Sequence, residues 1–226
     1  MLNNSDNLKF PVCVAISGAS GIIYGIRTLQ FLLENNYKVE LVISESATKV
    51  ALDEINLYLS LDPEILKEQV LSYLENAGVK KDMRNLLNVW AHNDITASIS
   101  SGSYRTNGMI IIPASMGTIG DVACGTSRNL ITRAADVCLK ERRRLVVVPR
   151  ETPLNQIHLE NLLKLTQIGA IVAPASPAFY HGPKDLMDAV DFVVGKVLDL
   201  FGIEHTLFKR WRDEAQLLSL SLKPGV

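Results

Sequence analysis

The chain has 226 residues, 47% hydrophobic and 21% charged, with a formal net charge of −1. That length suits one well-buried α/β domain and would cramp two. The near-neutral charge argues against a general nucleic-acid binder, without excluding a local basic patch. Three cysteines (Cys13, Cys124, Cys138) without C-x-x-C spacing and four scattered histidines fit neither a disulfide framework nor a structural zinc site. No metal is expected, and a reducing cytoplasm is the expected home.

Residues 1–9 are mostly polar, lack the apolar core of a signal peptide and are expected to be flexible. No apolar run is long enough to span a bilayer. Val12-Cys13-Val14-Ala15-Ile16 reads as a buried strand, and residues 22–33 place apolar side chains at helical spacing. Between them lies Ser17-Gly18-Ala19-Ser20-Gly21. Strand, small-residue turn and helix in that order build an anion site, with backbone N–H groups and the helix dipole facing the ligand. The same loop would also serve as a tight turn that packs helix on sheet. Residues 38–43 read as a second strand, reached by a crossover of suitable length. Ser44-Glu45-Ser46-Ala47 opens a second helix, with Ser44 or Ser46 as N-cap.

Pro63 opens an amphipathic helix over 64–75, broken by Asn76-Ala77-Gly78, and no chemistry is assigned to residues 51–87. A short strand over 88–90 precedes a polar loop rich in Ser and Gly over 92–108. A buried strand over 109–112 ends in Pro113-Ala114-Ser115-Met116-Gly117-Thr118. Then follow a helix over 129–142, a strand over 144–148, a helix over 158–167, a strand over 170–173 and a long helix over 184–200. This alternation predicts an α/β fold: a three-layer, doubly wound, mostly parallel sheet. A single domain over 1–226 is expected, with a C-terminal tail over 212–226.

In such sheets ligands sit beyond the carboxyl ends of the strands. Those ends carry Ser17–Gly21, Ser44, Ser115 with Thr118, and Pro149-Arg150-Glu151. The glycine spacing Gly18-x-x-Gly21-x-x-x-Gly25 is not the dinucleotide fingerprint, although Glu45 leaves a ribose contact open, and no P-loop lysine follows. Arginine suits a phosphate through its planar fork, and a glutamate beside it can move protons; Arg150 and Glu151 are equally readable as an ordinary surface pair. Arg133, Asp136 and Lys140 share one helix face, turned either to a ligand or to solvent. The basic run Lys140-Glu141-Arg142-Arg143-Arg144 reads as a helix C-terminus before a nucleic-acid patch. Trp90 and Tyr180-His181 read as packing before chemistry. Ser115 lacks the G-x-S-x-G elbow of a serine hydrolase.

Taken together, the motifs resemble the UbiX/Pad-type flavin prenyltransferases, within the flavin-binding Rossmann-like Cys decarboxylases. The resemblance is carried by Ser17-Gly-Ala-Ser-Gly21 with Tyr24-Gly25, Asn129-Leu-Ile-Thr-Arg-Ala-Ala-Asp136 and Leu139-Lys-Glu-Arg-Arg143. It continues in Leu145-Val-Val-Val-Pro-Arg-Glu151, Ile157-His-Leu-Glu-Asn161, Phe179-Tyr180-His181 and Asp191-Phe-Val-Val194. It implies metal-independent transfer of a dimethylallyl group from dimethylallyl phosphate to N5 and C6 of reduced FMN, making prenylated FMN for a UbiD-type decarboxylase. By resemblance, Gly18, Ala19, Ser20, Ser44 and Arg133 hold the FMN phosphate and ribityl chain, and Ser115 and Thr118 line the flavin. Ser101, Lys140, Arg150, Tyr180 and Lys196 grip the prenyl phosphate, and Glu151 acts as acid and base. Glu54 matches a glutamate near the site whose role is left open. Many members carry arginine where Lys196 stands, so the bidentate fork is lost there. Trp90 is a candidate wall for the developing allyl cation. The resemblance also implies a homo-oligomer, commonly a dodecamer. The alternatives are an FMN-dependent decarboxylase of a cysteine-containing substrate and a flavin carrier without chemistry.

Overall fold

The computed structural model describes residues 10–79 and 82–211; the flexible N-terminus expected over 1–9 and the tail expected over 212–226 lie outside them. Six strands make one all-parallel sheet: β1 (Val12–Ile16), β2 (Val39–Ile43), β3 (Leu87–Trp90), β4 (Met109–Ala114), β5 (Leu145–Pro149) and β6 (Ile171–Val172). Their order is β3-β2-β1-β4-β5-β6, with Val14 opposite both Leu41 and Ile110. β1, β2, β4 and β5 are buried throughout and almost wholly apolar, as parallel strands covered on both faces must be. Glu40 on β2 is the single charged residue in those four strands, and it is 1% exposed.

One face of the sheet carries α4 (Met116–Ala123), α5 (Leu130–Lys140) and α6 (Gln156–Gln167). Their Ile119, Leu130, Ile131, Ala134, Cys138 and Leu165 pack with the alternate strand residues Cys13, Ala15, Val42, Met109, Ile111, Leu145 and Val147. α1 (Ile22–Glu34) packs on residues of the opposite parity. Gly25 lets it sit close, because a Cβ there would lie 2.6 Å from the Ile112 carbonyl and 2.7 Å from Ile16 Cδ1. Leu29, Leu32 and Leu33 of α1 are fully buried, and each such side chain contributes about 1.5–3 kcal/mol. α2 (Glu45–Ile55) and α3 (Pro63–Asn76) connect β2 to β3.

The predicted elements are present, with shifted ends. β4 continues through Pro113 to Ala114, with an irregular register between Ile111 and Ala114. Proline donates no ladder hydrogen bond, so periodicity stops one residue before it. α4 has no counterpart in the sequence prediction: Gly117 and Gly120 lower the helix propensity of an eight-residue stretch.

The chain divides into two compact units, residues 1–175 and 176–226, and the sheet belongs to the first. In the second, α7 (Leu186–Phe201) is capped by Asp185, which accepts from the Asp188 N–H at 3.0 Å. Gly195 on α7 makes room for the chain to fold back, since a Cβ there would lie 2.6 Å from the His205 and Phe208 rings. Asp199 holds that return by accepting from Arg210 at 2.7 and 3.1 Å, with His205 at 3.1 Å and Lys196 at 3.6 Å.

Candidate active site

Because every strand runs the same way, the carboxyl ends that carry Ser17–Gly21, Ser44, Ser115 and Arg150 share one edge of the sheet. Strand order reverses between β1 and β4, and ligands of such sheets settle at that crevice. Buried Ser17 ties its two lips together: its Oγ donates to the Pro113 carbonyl at 3.0 Å and accepts from the Ser115 N–H at 2.7 Å. Ser115 caps α4, and its hydroxyl lies 3.1 Å from that of Thr118. Ser44, not Ser46, caps α2, and the two hydroxyls stand 3.1 Å apart. A Cβ at Gly18 would lie 2.2 Å from Ser46 Oγ, so only glycine lets this loop rest on the first turn of α2. Ala19 is buried beneath it and Ser20 is exposed.

The N-terminus of α1 departs from expectation. Sequence reasoning leaves its N–H groups open for a phosphate, but Glu54, in the last turn of α2, takes them. Its carboxylate accepts from Gly21 N at 2.8 and 3.0 Å and from Ile22 N at 3.0 Å. The loop's anion is therefore partly supplied by the protein itself, where a helix dipole favours it. Burial pushes the Glu54 carboxyl up. The Ser20 hydroxyl, the two backbone N–H groups and the Arg150 charge outweigh that and hold it below its usual 4.5. Arg150 Cγ lies 3.9 Å from where a Gly21 Cβ would stand, beside the Tyr24 ring. Burial raises the Tyr24 phenol, and the Arg150 charge opposes the shift. The glycine loop and the Arg150-Glu151 exit, separate in sequence, thus meet at one place. Glu151 is exposed and accepts from the Thr152 N–H at 2.9 Å.

A second cluster gathers on the end of α5. Arg133 donates to the Ser100 carbonyl at 3.2 Å and to Asp136 at 3.0 Å. Lys140 pairs with Glu141 and lies against Gly102, 2.7 Å from where a Cβ would stand. The Arg133–Lys140 face, readable either way from spacing, therefore meets the turn that carries Ser101. Arg143 grips the same turn, donating to the carbonyls of Gly102 and Tyr104. The basic run ends a helix as expected and also clamps a loop.

Trp90 stands apart. Its indole donates to Glu40 at 2.6 Å, and it lines a pocket of about 350 Å³ with Pro63, Glu64, Lys67, Asn88, Ser98 and Tyr104. None of the other predicted site residues lines that pocket. Tyr180 and Lys196 belong to the second unit. There Tyr180 meets the rings of Phe192 and Trp211 edge-on at 5.8 and 5.1 Å, and Lys196 pairs with Asp199. Sequence reasoning missed Ser17 as a lock and the function of Glu54 as a cap. Both act across dozens of residues, and no local spacing announces them. Among the described residues no group of three or more His, Cys, Asp or Glu side chains is placed to hold a metal ion. No described helix is long and apolar enough to cross a membrane.

Comparison with known proteins agrees with this fold. The family model described as Flavoprotein matches residues 2–198. The flavin prenyltransferase UbiX of Halalkalibacterium halodurans is 52% identical over 201 residues, covering 89% of this chain and 93% of that protein. A crystal structure of AnUbiX (PadA1) in complex with FMN and dimethylallyl pyrophosphate is 38% identical at a TM-score of 0.78, covering 90% of this chain and 98% of that one. A dodecameric FMN-dependent UbiX-like decarboxylase from Escherichia coli is 39% identical at a TM-score of 0.77, covering 90% of this chain and 100% of that one.

Proposed function

The chain belongs to the Flavoprotein family and is a flavin prenyltransferase of the UbiX kind, and from that premise we propose how its strand-end rim performs the transfer. Reduced FMN is the acceptor substrate, and a dimethylallyl phosphate is the donor. Gly18, Ala19, Ser20, Ser44 and Arg133 hold the FMN phosphate and ribityl chain, and Ser115 and Thr118 face the flavin at the crevice between β1 and β4. Hydroxyls suit that part: each donates one hydrogen bond without adding charge. Ser101, Lys140 and Arg150 hold the donor phosphate. The charges of Lys140 and Arg150, with the Ser101 hydroxyl, stabilise the leaving group as its C–O bond breaks, where fixed donors act most strongly.

The electron pair of the broken bond leaves with phosphate, and the allyl carbon bonds N5. The N5 proton departs with the leaving group. Ring closure at C6 protonates the alkene and removes one C6 proton, so the two cancel. Glu151, beside Arg150 and exposed to the rim, moves these protons. Tyr180 and Lys196 enter this reading through the resemblance alone. The observation that carries the reading is the meeting of Arg150 with the Ser17–Gly21 loop, which sets a phosphate-binding cation against the flavin anchor. The product passes to a UbiD-type decarboxylase. The enzyme works as a homo-oligomer in a reducing cytoplasm, a reading the free thiols Cys13, Cys124 and Cys138 support.

Mass spectrometry after anaerobic incubation of reduced FMN with dimethylallyl phosphate tests it. The expected product is FMN heavier by one prenyl unit, and Glu151→Gln slows its formation about a hundredfold while FMN binding is kept. A wild type that binds FMN and adds no prenyl unit sinks the reading and favours a flavin carrier; an unchanged Glu151→Gln rate removes Glu151 from the reaction.

A further inference from the structure

Glu40 is the feature that the reaction leaves unexplained. It is the second residue of β2, 1% exposed, on the sheet face that α4, α5 and α6 cover. Removing a carboxylate from water costs several kcal/mol unless hydrogen bonds replace it. Here three do: Trp90 Nε1 at 2.6 Å, the Tyr104 hydroxyl at 2.6 Å and Asn88 Nδ2 at 3.2 Å. All three donors are uncharged, so no ion pair offsets the burial through them. An apolar residue would fill a parallel strand at lower cost. What a carboxylate adds is direction, because it accepts several short, strong hydrogen bonds at fixed angles.

Those angles matter most at Tyr104. The turn from Ser100 to Tyr104 is held from one side by α5 and the residues just after it: Arg133 binds the Ser100 carbonyl, and Arg143 binds those of Gly102 and Tyr104. Its other side is held by the Tyr104–Glu40 bond, across 64 residues of sequence. Inside this double hold Ser101 Oγ meets Ser103 Oγ at 2.9 Å, and Gly102 touches Lys140. We propose that Glu40 is a positioning residue: through Tyr104 it fixes the Ser101 turn against Lys140, and so sets the pocket for the donor phosphate. The proposal rests on the donor-phosphate role given above to Ser101 and Lys140. Burial, and next the bond to Glu40, raise the Tyr104 phenol well above its usual range, in accord with a hydroxyl that stays protonated and donating.

Tyr104→Phe deletes one oxygen and leaves Glu40 its other two donors, so the fold is kept; Glu40→Gln keeps the shape and removes the charge. Asn88→Ala removes the longer of the two hydrogen bonds to Glu40 Oε1 and leaves the Tyr104 bond to the turn in place. Calorimetry of dimethylallyl phosphate binding to the FMN-loaded protein, with steady-state turnover, reads all three. Tyr104→Phe and Glu40→Gln are expected to weaken the donor Kd and raise its KM about tenfold. For these two variants kcat is expected within threefold and reduced-FMN affinity within twofold. Asn88→Ala is expected to leave the donor KM within twofold. In Glu40→Gln, ultraviolet titration should show one tyrosine ionising at lower pH than in wild type. A Tyr104→Phe protein with donor affinity within twofold of wild type overturns the proposal, as does an Asn88→Ala protein that loses as much. A wild type that neither binds nor turns over the donor removes the prenyl-transfer reading and this proposal together, and is seen before any variant is made.

Discussion

At the scale of single residues, Glu54 and Arg150 show how one site serves folding and chemistry at once. Glu54 closes the N-terminus of α1 with three hydrogen bonds to two backbone N–H groups, and the Arg150 charge lies close enough to lower its pKa. A capping carboxylate of this kind contributes about 1 kcal/mol. Its folded pKa is depressed, so its contribution is fully present above the unfolded value of 4.5 and is lost as the pH falls through the folded one. Glu54→Gln is therefore expected to melt below wild type at pH 7. The gap should close as the pH falls below 4.5, and differential scanning calorimetry across that range reads it. A gap that persists unchanged to about pH 3 would show that shape, not charge, caps the helix. Arg150 makes a separate prediction. Arg150→Lys keeps the charge and loses the fork, so the KM for the donor should rise about tenfold with FMN affinity retained.

At the scale of elements, Gly25 decides how closely α1 lies on the sheet. A methyl group there would meet the Ile112 carbonyl at 2.6 Å and Ile16 at 2.7 and 2.9 Å, and a backbone carbonyl in a central strand cannot swing aside. Gly25→Ala raises helix propensity by about 0.8–1.0 kcal/mol but overpacks the interface by about 1–3 kcal/mol, and the second effect wins. A lower urea midpoint is expected, and a higher one would show that α1 has room to move. Gly25 stands in the sequence only as part of a motif, because spacing reveals a helix but not its distance from the sheet. The same limit runs through the fold. β1, β2 and β5 are legible as apolar runs, and Asn129 marks the start of α5 because N-cap chemistry is local. β6 shrinks to Ile171–Val172 and α4 goes unread, since the pairing and packing that define them lie elsewhere in the chain. The site divides likewise: Ser44, Ser115 and Arg150 are legible as strand-end residues. The occupant of the α1 N-terminus and the partner of Trp90 are set by contacts across 33 and 50 residues.

At the scale of the molecule, α6 is the element that the single chain leaves incomplete. Its Leu165 is fully buried, yet Ile157, Leu159 and Leu163 are 66%, 54% and 59% exposed. Leu159 and Leu163, four residues apart, share one side of the helix, and Ile157 with Ile168 flanks the buried stripe on the other. A surface helix normally confines its apolar residues to the stripe that faces the core, and a wider apolar band marks a surface that another chain covers. A relative 39% identical is dodecameric, and by that likeness we propose further copies of this chain as the occupant. Burying four such side chains per copy would contribute several kcal/mol at about 25 cal/mol per Å², enough to change assembly at micromolar concentration. Light scattering on wild type is expected to give twelve 24.9 kDa chains, about 300 kDa. Replacing Leu159 and Leu163 together by glutamate sets two charges per copy in each contact without touching the fully buried Leu165, so the assembly should fall to smaller species while each chain keeps its melting transition and its FMN. A double variant that still runs at the wild-type mass would place the subunit contacts on other faces of the chain.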